Sequence, residues 1–175
     1  GLMGQQEQGF KRVVPSPDGQ HLVLLGQSGS LLLLSAKTKQ LVATLQPGSE
    51  RWGCQCACFS PGGELLYAAG QGSQVQVWDV RRRCCVHTWH EQGGLRTTSL
   101  AASADGATLA AGSDSGAINL YGVRSVLESA QPAPLHELLN LQHPVSTLAF
   151  NHNAELLCFG SKYAKSALRV LHMGA

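Results

Sequence analysis

The chain has 175 residues, a formal net charge of +2 and six cysteines. That charge is too mild to mark a nucleic-acid-binding domain by itself, which would carry a clustered basic face or a pI above roughly 9. No apolar run approaches the ~18 residues of a membrane-spanning helix, and no charged-then-apolar leader opens the chain, so no membrane partner is expected. Six cysteines without a secretory leader read as reduced thiols of a cytosolic or nuclear protein.

From the N-terminus, the pattern predicts a strand over Phe10 to Val14, then a turn at Ser16-Pro17-Asp18-Gly19. Apolar strands follow over His21 to Gly26 and Ser30 to Ser35, and an outer strand over Gln40 to Leu45. The same order then recurs. Ser60-Pro61-Gly62-Gly63 separates strands at Cys54 to Phe59 and Leu65 to Ala69; Val75 to Val80 and Cys84 to Trp89 complete that unit. Ser103-Ala104-Asp105-Gly106 separates Leu95 to Ala102 from Thr108 to Ala111, with Ala117 to Tyr121 and Leu135 to Leu141 after it. Before that last strand, Arg124 to Pro134 reads as an eleven-residue insertion with two prolines. Asn151-His152-Asn153-Ala154 separates Val145 to Phe150 from Leu156 to Phe159, and Ala167 to Leu171 ends the series.

The four turns start 44, 43 and 48 residues apart, and the insertion accounts for the longest spacing. One position, at the end of each third strand, holds Leu34, Trp78, Tyr121 and Leu171; in the second unit it reads Trp78-Asp79. Four short strands per 40–45 residues, ending in Trp-Asp, are the signature of a WD40 propeller blade. The expected fold is therefore all-β: a partial WD40-type β-propeller over 1–175, with repeats near 10–46, 52–90, 94–141 and 143–175. Four repeats lie at the low end of the ~4–8 blades of closed propellers, which predicts an arc of a larger ring. Strands inside such a ring are covered on both faces and should be apolar without alternation, as Leu22 to Leu25 and Leu31 to Leu34 are. The usual buried aspartate six residues before the tryptophan is replaced by Ser28, Gly72, Ser115 and Lys165, so packing must carry the fold.

No constellation carries catalysis, a metal or a cofactor. Cys54, Cys56 and Cys58 alternate along a strand, which points all three thiols to one face over about 13 Å. They cannot all reach one zinc at ~2.3 Å and are expected as small packing residues. Cys84 and Cys85 are adjacent, so their side chains should point to opposite sides, and Cys158 sits in a strand. His143, before Pro144-Val145, is expected to bond a loop to a strand. His87, His90, His136, His152 and His172 show no ligand spacing and are expected in solvent. The glycines at 26–29 and 70–72 precede strands, not helices, and so cradle no phosphate. The chain is not expected to be an enzyme. Arg81, Arg82 and Arg83 should form the turn between third and fourth strands of the second repeat, and Lys162 and Lys165 a lengthened turn in the last. These two turn types leave opposite ends of a propeller. Both sets are candidate contacts for RNA phosphate or a protein partner.

The ordered phrases Ala36-Lys37-Thr38-Lys39-Gln40-Leu41, Val77-Trp78-Asp79-Val80-Arg81, Gly112 to Tyr121, Leu139-Asn140-Leu141 and Ala167 to His172 resemble one family. It is that of the eighteenth U-three small-nucleolar-RNA-associated protein, WD40 subunits of the small-subunit processome. The resemblance implies a nucleolar scaffold of the UTP-B subcomplex, acting in a hetero-oligomer. Its implied partners are other UTP-B subunits, the U-three ribonucleoprotein and pre-rRNA, contacted directly or indirectly. It implies a role in early cleavages of the small-subunit rRNA precursor. The alternative reading is a substrate receptor of a cullin-type ubiquitin ligase, suggested by the short box Trp78-Asp79-Val80-Arg81.

Overall fold

The computed structural model describes residues 9–45 and 53–174. Positions 46, 52 and 175, at the expected repeat limits, lie outside the described residues. Among the described residues, fifteen strands form four antiparallel sheets, each in simple up-and-down order. The first sheet holds β1 (Phe10–Pro15), β2 (His21–Gly26), β3 (Leu31–Ser35) and β4 (Leu41–Leu45). The second holds β5 (Cys56–Phe59), β6 (Leu65–Ala69), β7 (Gln74–Asp79) and β8 (Cys84–His90). The third holds β9 (Thr97–Ala102), β10 (Thr108–Ser113), β11 (Ile118–Gly122) and β12 (His136–Leu138). The fourth has three strands: β13 (Thr147–Phe150), β14 (Leu156–Gly160) and β15 (Leu168–His172).

The recurring turn has one mechanism. Its first side chain accepts from the backbone N–H five residues on: Ser16 from His21 at 2.9 Å, Ser60 from Leu65 at 3.0 Å, Ser103 from Thr108 at 2.9 Å and Asn151 from Leu156 at 2.9 Å. The fourth residue is left-handed in every copy: Gly19, Gly63, Gly106 and, in the last, Ala154 at φ 61°. Three copies use glycine, which adopts that conformation without a Cβ penalty. The second recurring turn, between the middle strands, needs glycine more severely. Gly29 sits at φ 90°, and a Cβ there would meet the Gly53 Cα at 2.2 Å, where the second sheet abuts the first.

Three cores join the sheets in succession. The first packs Val23, Leu25, Leu31 and Leu33 against Phe59, Leu66 and Trp78. The second packs Tyr67, Val75, Val77 and Trp89 against Leu100, Leu109 and Tyr121, and the Trp89 and Tyr121 rings meet edge to face at 4.8 Å. The third packs Ala110, Ile118 and Leu120 against Val145, Leu157 and Phe159. No core cluster of the described residues joins the fourth sheet to the first. The outward faces of those two sheets therefore keep apolar side chains in solvent: Val13 on β1, and Leu168 and Val170 on β15.

Two local expectations need correction. The insertion contains a short helix, α1 (Val123–Glu128), which starts directly after β11. It buries Val126 in the second core and bears an Arg124–Glu128 ion pair at 2.9 Å. Its outer strand is also shorter than the expected Leu135 to Leu141, because β12 pairs with β11 only at Ile118, Asn119 and Leu120. The cysteine row does not share one face. Cys54 precedes β5 and enters the first core, whereas Cys56 enters the second and Cys58 packs against it. Strand alternation starts at Cys56, so it does not govern Cys54. Burial pushes the Cys54 and Cys58 thiols up to about 12 and raises Cys56 as well, so all three pack as neutral thiols.

Candidate interaction surfaces

The Trp-Asp pair divides its labour. Trp78 is buried in the first core. Asp79 caps the following turn: its Oδ1 accepts the Arg82 backbone N–H at 2.8 Å, and its carbonyl accepts the Arg83 N–H at 2.8 Å. Arg83 takes the left-handed conformation that closes the turn, at φ 58°. Arg81, Arg82 and Arg83 are thereby held in solvent between β7 and β8. Arg82 lies 3.9 Å from Asp79 at the surface, a pair of little energetic weight. In the ligase-type box, Trp78 and Val80 are both buried, so only Asp79 and Arg81 are free to meet a partner.

Lys162 and Lys165 lie between β14 and β15, at the opposite strand ends from the arginine turn. The two basic turns are therefore separate surfaces. The Lys162 N–H donates to Ser146 Oγ at 3.0 Å and the Tyr163 N–H to Ser161 Oγ at 3.3 Å, so this turn is fastened to the start of the fourth sheet. The Lys162 Nζ sits 5.2 Å from the Tyr163 ring centroid, a cation–π contact.

The four innermost strands leave a mouth at each end. The mouth on the lysine side, about 380 Å³, is lined by Arg12, Gln55, Thr98, Pro144 to Thr147, Lys162 and Tyr163. Residues of all four repeats meet there. The opposite mouth, about 530 Å³, is lined by the recurring turns: Pro17, Phe59, Pro61, Ala102, Phe150 and His152 among them. It is mainly apolar.

A buried polar cluster sits where the second sheet hands over to the third. Glu91 is only 3% exposed. Its Oε1 accepts from the Gly93 N–H at 2.6 Å, Asn119 Nδ2 at 2.9 Å and the Tyr121 hydroxyl at 3.3 Å. The Gln92 N–H in turn donates to the Tyr121 oxygen at 3.1 Å. Burial pushes the Glu91 carboxyl up, and this outweighs the three hydrogen bonds, which act the other way. Tyr121 occupies the tryptophan position of its repeat. Its hydroxyl thus organises a polar network in the blade whose usual aspartate position is Ser115. The Trp78 indole nitrogen, by contrast, has no partner among the described residues.

The histidines divide. His87, expected in solvent, is half-buried, and its Nε2 meets the Ser129 carbonyl at 3.0 Å, tying β8 to the insertion. The His90 N–H donates to Ala130 O and Gln92 Nε2 to Pro132 O, so the insertion lies along β8. The His143 ring makes no hydrogen bond among the described residues; the loop is tied instead by the Val145 N–H donating to Ser113 O at 3.1 Å. His90, His136, His152 and His172 are exposed as expected.

Sequence reasoning singled out the two basic turns but missed Arg12, Tyr163 and the Glu91–Asn119–Tyr121 cluster. A cation on an innermost strand was the available signal for Arg12. The cluster joins residues about 30 positions apart, which no local pattern reveals.

Sequence, turns and packing together define a β-propeller built from WD40 repeats. A model of the WD domain, G-beta repeat, matches residues 39–79 and 83–121. The chain is a homologue of proteins named U3 small nucleolar RNA-associated protein 18 homolog. It is 35% identical to that of Mus musculus, 33% to that of Homo sapiens and 32% to that of Arabidopsis thaliana, each over 98% of this chain. It spans 31%, 30% and 31% of those relatives' lengths, respectively.

Proposed function

We propose that the chain is a non-catalytic WD40 scaffold of ribosome biogenesis. It supports small-subunit pre-rRNA processing within the U3 ribonucleoprotein, in the nucleolus and as part of a hetero-oligomer. The observation that carries this reading is homology over 98% of the chain to proteins named for their association with U3 small nucleolar RNA. The fold supports it: short strands joined by exposed, hydrogen-bonded turns offer contact surfaces on a rigid frame. The proposed immediate partners are other subunits of the UTP-B subcomplex, with U3 RNA and pre-rRNA reached directly or through them. Arg81, Arg82 and Arg83 on one end, and Lys162 and Lys165 on the other, are the proposed contacts. Nothing found supports the ubiquitin-ligase reading.

The test is co-purification from cells that rely on the full-length protein carrying this region. Wild type should recover U3 RNA. Reversal of Arg81, Arg82 and Arg83 to Glu should leave expression normal, reduce U3 recovery and accumulate uncleaved precursor, because like charges at a complementary interface repel. Recovery of a cullin adaptor without U3 RNA would overturn the proposal. Normal assembly of the reversed variant would remove the arginine turn from it.

A further inference from the structure

We propose that the basic mouth between Arg12 and Lys162 is a binding site for single-stranded nucleic acid, with phosphate held by the two cations and a base stacked on Tyr163. Three observations converge on it. Arg12 comes from the first inner strand and Lys162 from the last turn, yet both line one cavity, so the fold brings together cations 150 positions apart in the chain. No carboxylate lines that cavity. Neither cation is in an ion pair among the described residues. A concave basic wall with low-dielectric sides concentrates anions.

The third observation separates a nucleotide from a simple anion. Tyr163 is 61% exposed, which is a poor place for an aromatic ring unless something covers it. The backbone of its turn is held by the Ser161 and Ser146 hydrogen bonds, and Lys162 lies against the ring. An exposed ring on a hydrogen-bonded turn beside a cation is the arrangement of a stacking platform, which takes any base because every base has a π-face. A duplex keeps its bases stacked inside and offers Tyr163 no ring. The volume, about 380 Å³, falls in the range of small-ligand sites. Gln55 and Ser146 add polar groups at the wall. That the strand is RNA rests on the ribosome-biogenesis reading; that it is a nucleotide chain does not.

The test uses the full chain and a fluorescein-labelled six-nucleotide oligouridylate, followed by anisotropy across a salt series. Arg12→Gln with Lys162→Gln should weaken binding and flatten the slope of log K on log salt by about 0.7 for each phosphate no longer neutralised. Tyr163→Ala should weaken binding by about fivefold or more without changing that slope, and Tyr163→Phe should restore it, since stacking needs only the ring. Replacing Lys37 and Arg124 with Gln, two exposed cations at the far strand ends, should leave it unchanged, and circular dichroism melts verify that each variant is folded. Binding that ignores Arg12, Lys162 and Tyr163 would overturn the proposal. So would displacement of the RNA by polyglutamate as efficient as by unlabelled oligouridylate, which would mark an acidic protein as the occupant. If the oligonucleotide fails while U3 RNA still co-purifies from cells, this site falls and the ribosome-biogenesis reading stands; loss of U3 recovery by the wild-type protein would strike the reading itself.

Discussion

The second and fourth sheets start from the same turn and reach different states. In both, a Ser or Asn side chain catches the backbone five residues on, and a left-handed residue closes the turn. In the second sheet, β7 then runs between two cores, with Val75, Val77 and Trp78 all buried. In the fourth, the equivalent β15 carries Leu168 and Val170 at 66% and 59% exposure. The residue types are similar; the neighbours are not. Local sequence sets the turn and the strand, while the adjoining blade sets how much apolar surface leaves water. Stability should therefore concentrate in the middle of the chain.

The largest effect should come from Trp89→Ala. The ring is fully buried in the second core and meets Tyr121 edge to face. Its loss should cost about 3–5 kcal/mol in denaturant unfolding. A cost below about 1 kcal/mol would mean that the middle core is no tighter than the edges.

Gly29→Ala and Gly72→Ala form a matched pair. Both glycines are left-handed, at φ 90° and 77°. At Gly72 nothing lies within 4 Å of the new Cβ, so the cost should be the conformational one, about 1 kcal/mol. At Gly29 the Cβ would meet the Gly53 backbone, on the segment leading into the second sheet, at 2.2 Å, so the cost should be clearly larger. Equal costs in thermal melts would remove the inter-sheet contact from the explanation.

Glu91 gives a pH signature to the same junction. Burial raises its pKa from 4.5, so its contribution is complete below that ordinary value and is lost as pH rises through the folded one. The nearby carboxylate of Asp114 acts in the same direction. Asp18 and Asp105 behave oppositely: Ser16 and Ser103 hold them below 3.8, so their contribution is present above that value and lost as pH falls through the folded ones. Melting of Glu91→Gln against wild type, from about pH 4 to about pH 8, should therefore show the variant gaining relative stability as pH rises. A flat difference would mean that Glu91 does not titrate differently on folding. The smallest effect should be at the edge: Val170→Ala should stay within about 0.5 kcal/mol of wild type.

The repeat was legible because its signals are local. Ser16, Ser60, Ser103 and Asn151 mark the turns, and Leu31 to Leu34 mark a strand covered on both faces, as Leu31, Leu32, Leu33 and Leu34 indeed are. The helix at Val123–Glu128 was not legible. Six residues are too few to show a helical period, and two prolines close behind suggested loop. Cys54 was misplaced because alternation was extended past the strand's true start at Cys56. The basic turns could be read as turns, but Arg12 and Tyr163 share a cavity only through ring geometry, which no spacing encodes.

Strand-resolved hydrogen exchange tests the uneven distribution of stability most directly. Amides of β7 and β10, inside their sheets and flanked by cores on both sides, should exchange slowest, and those of β15 fastest. Equal protection of β7 and β15 would contradict the account, because it would mean that the fourth sheet is held as firmly without a neighbour as the second is between two.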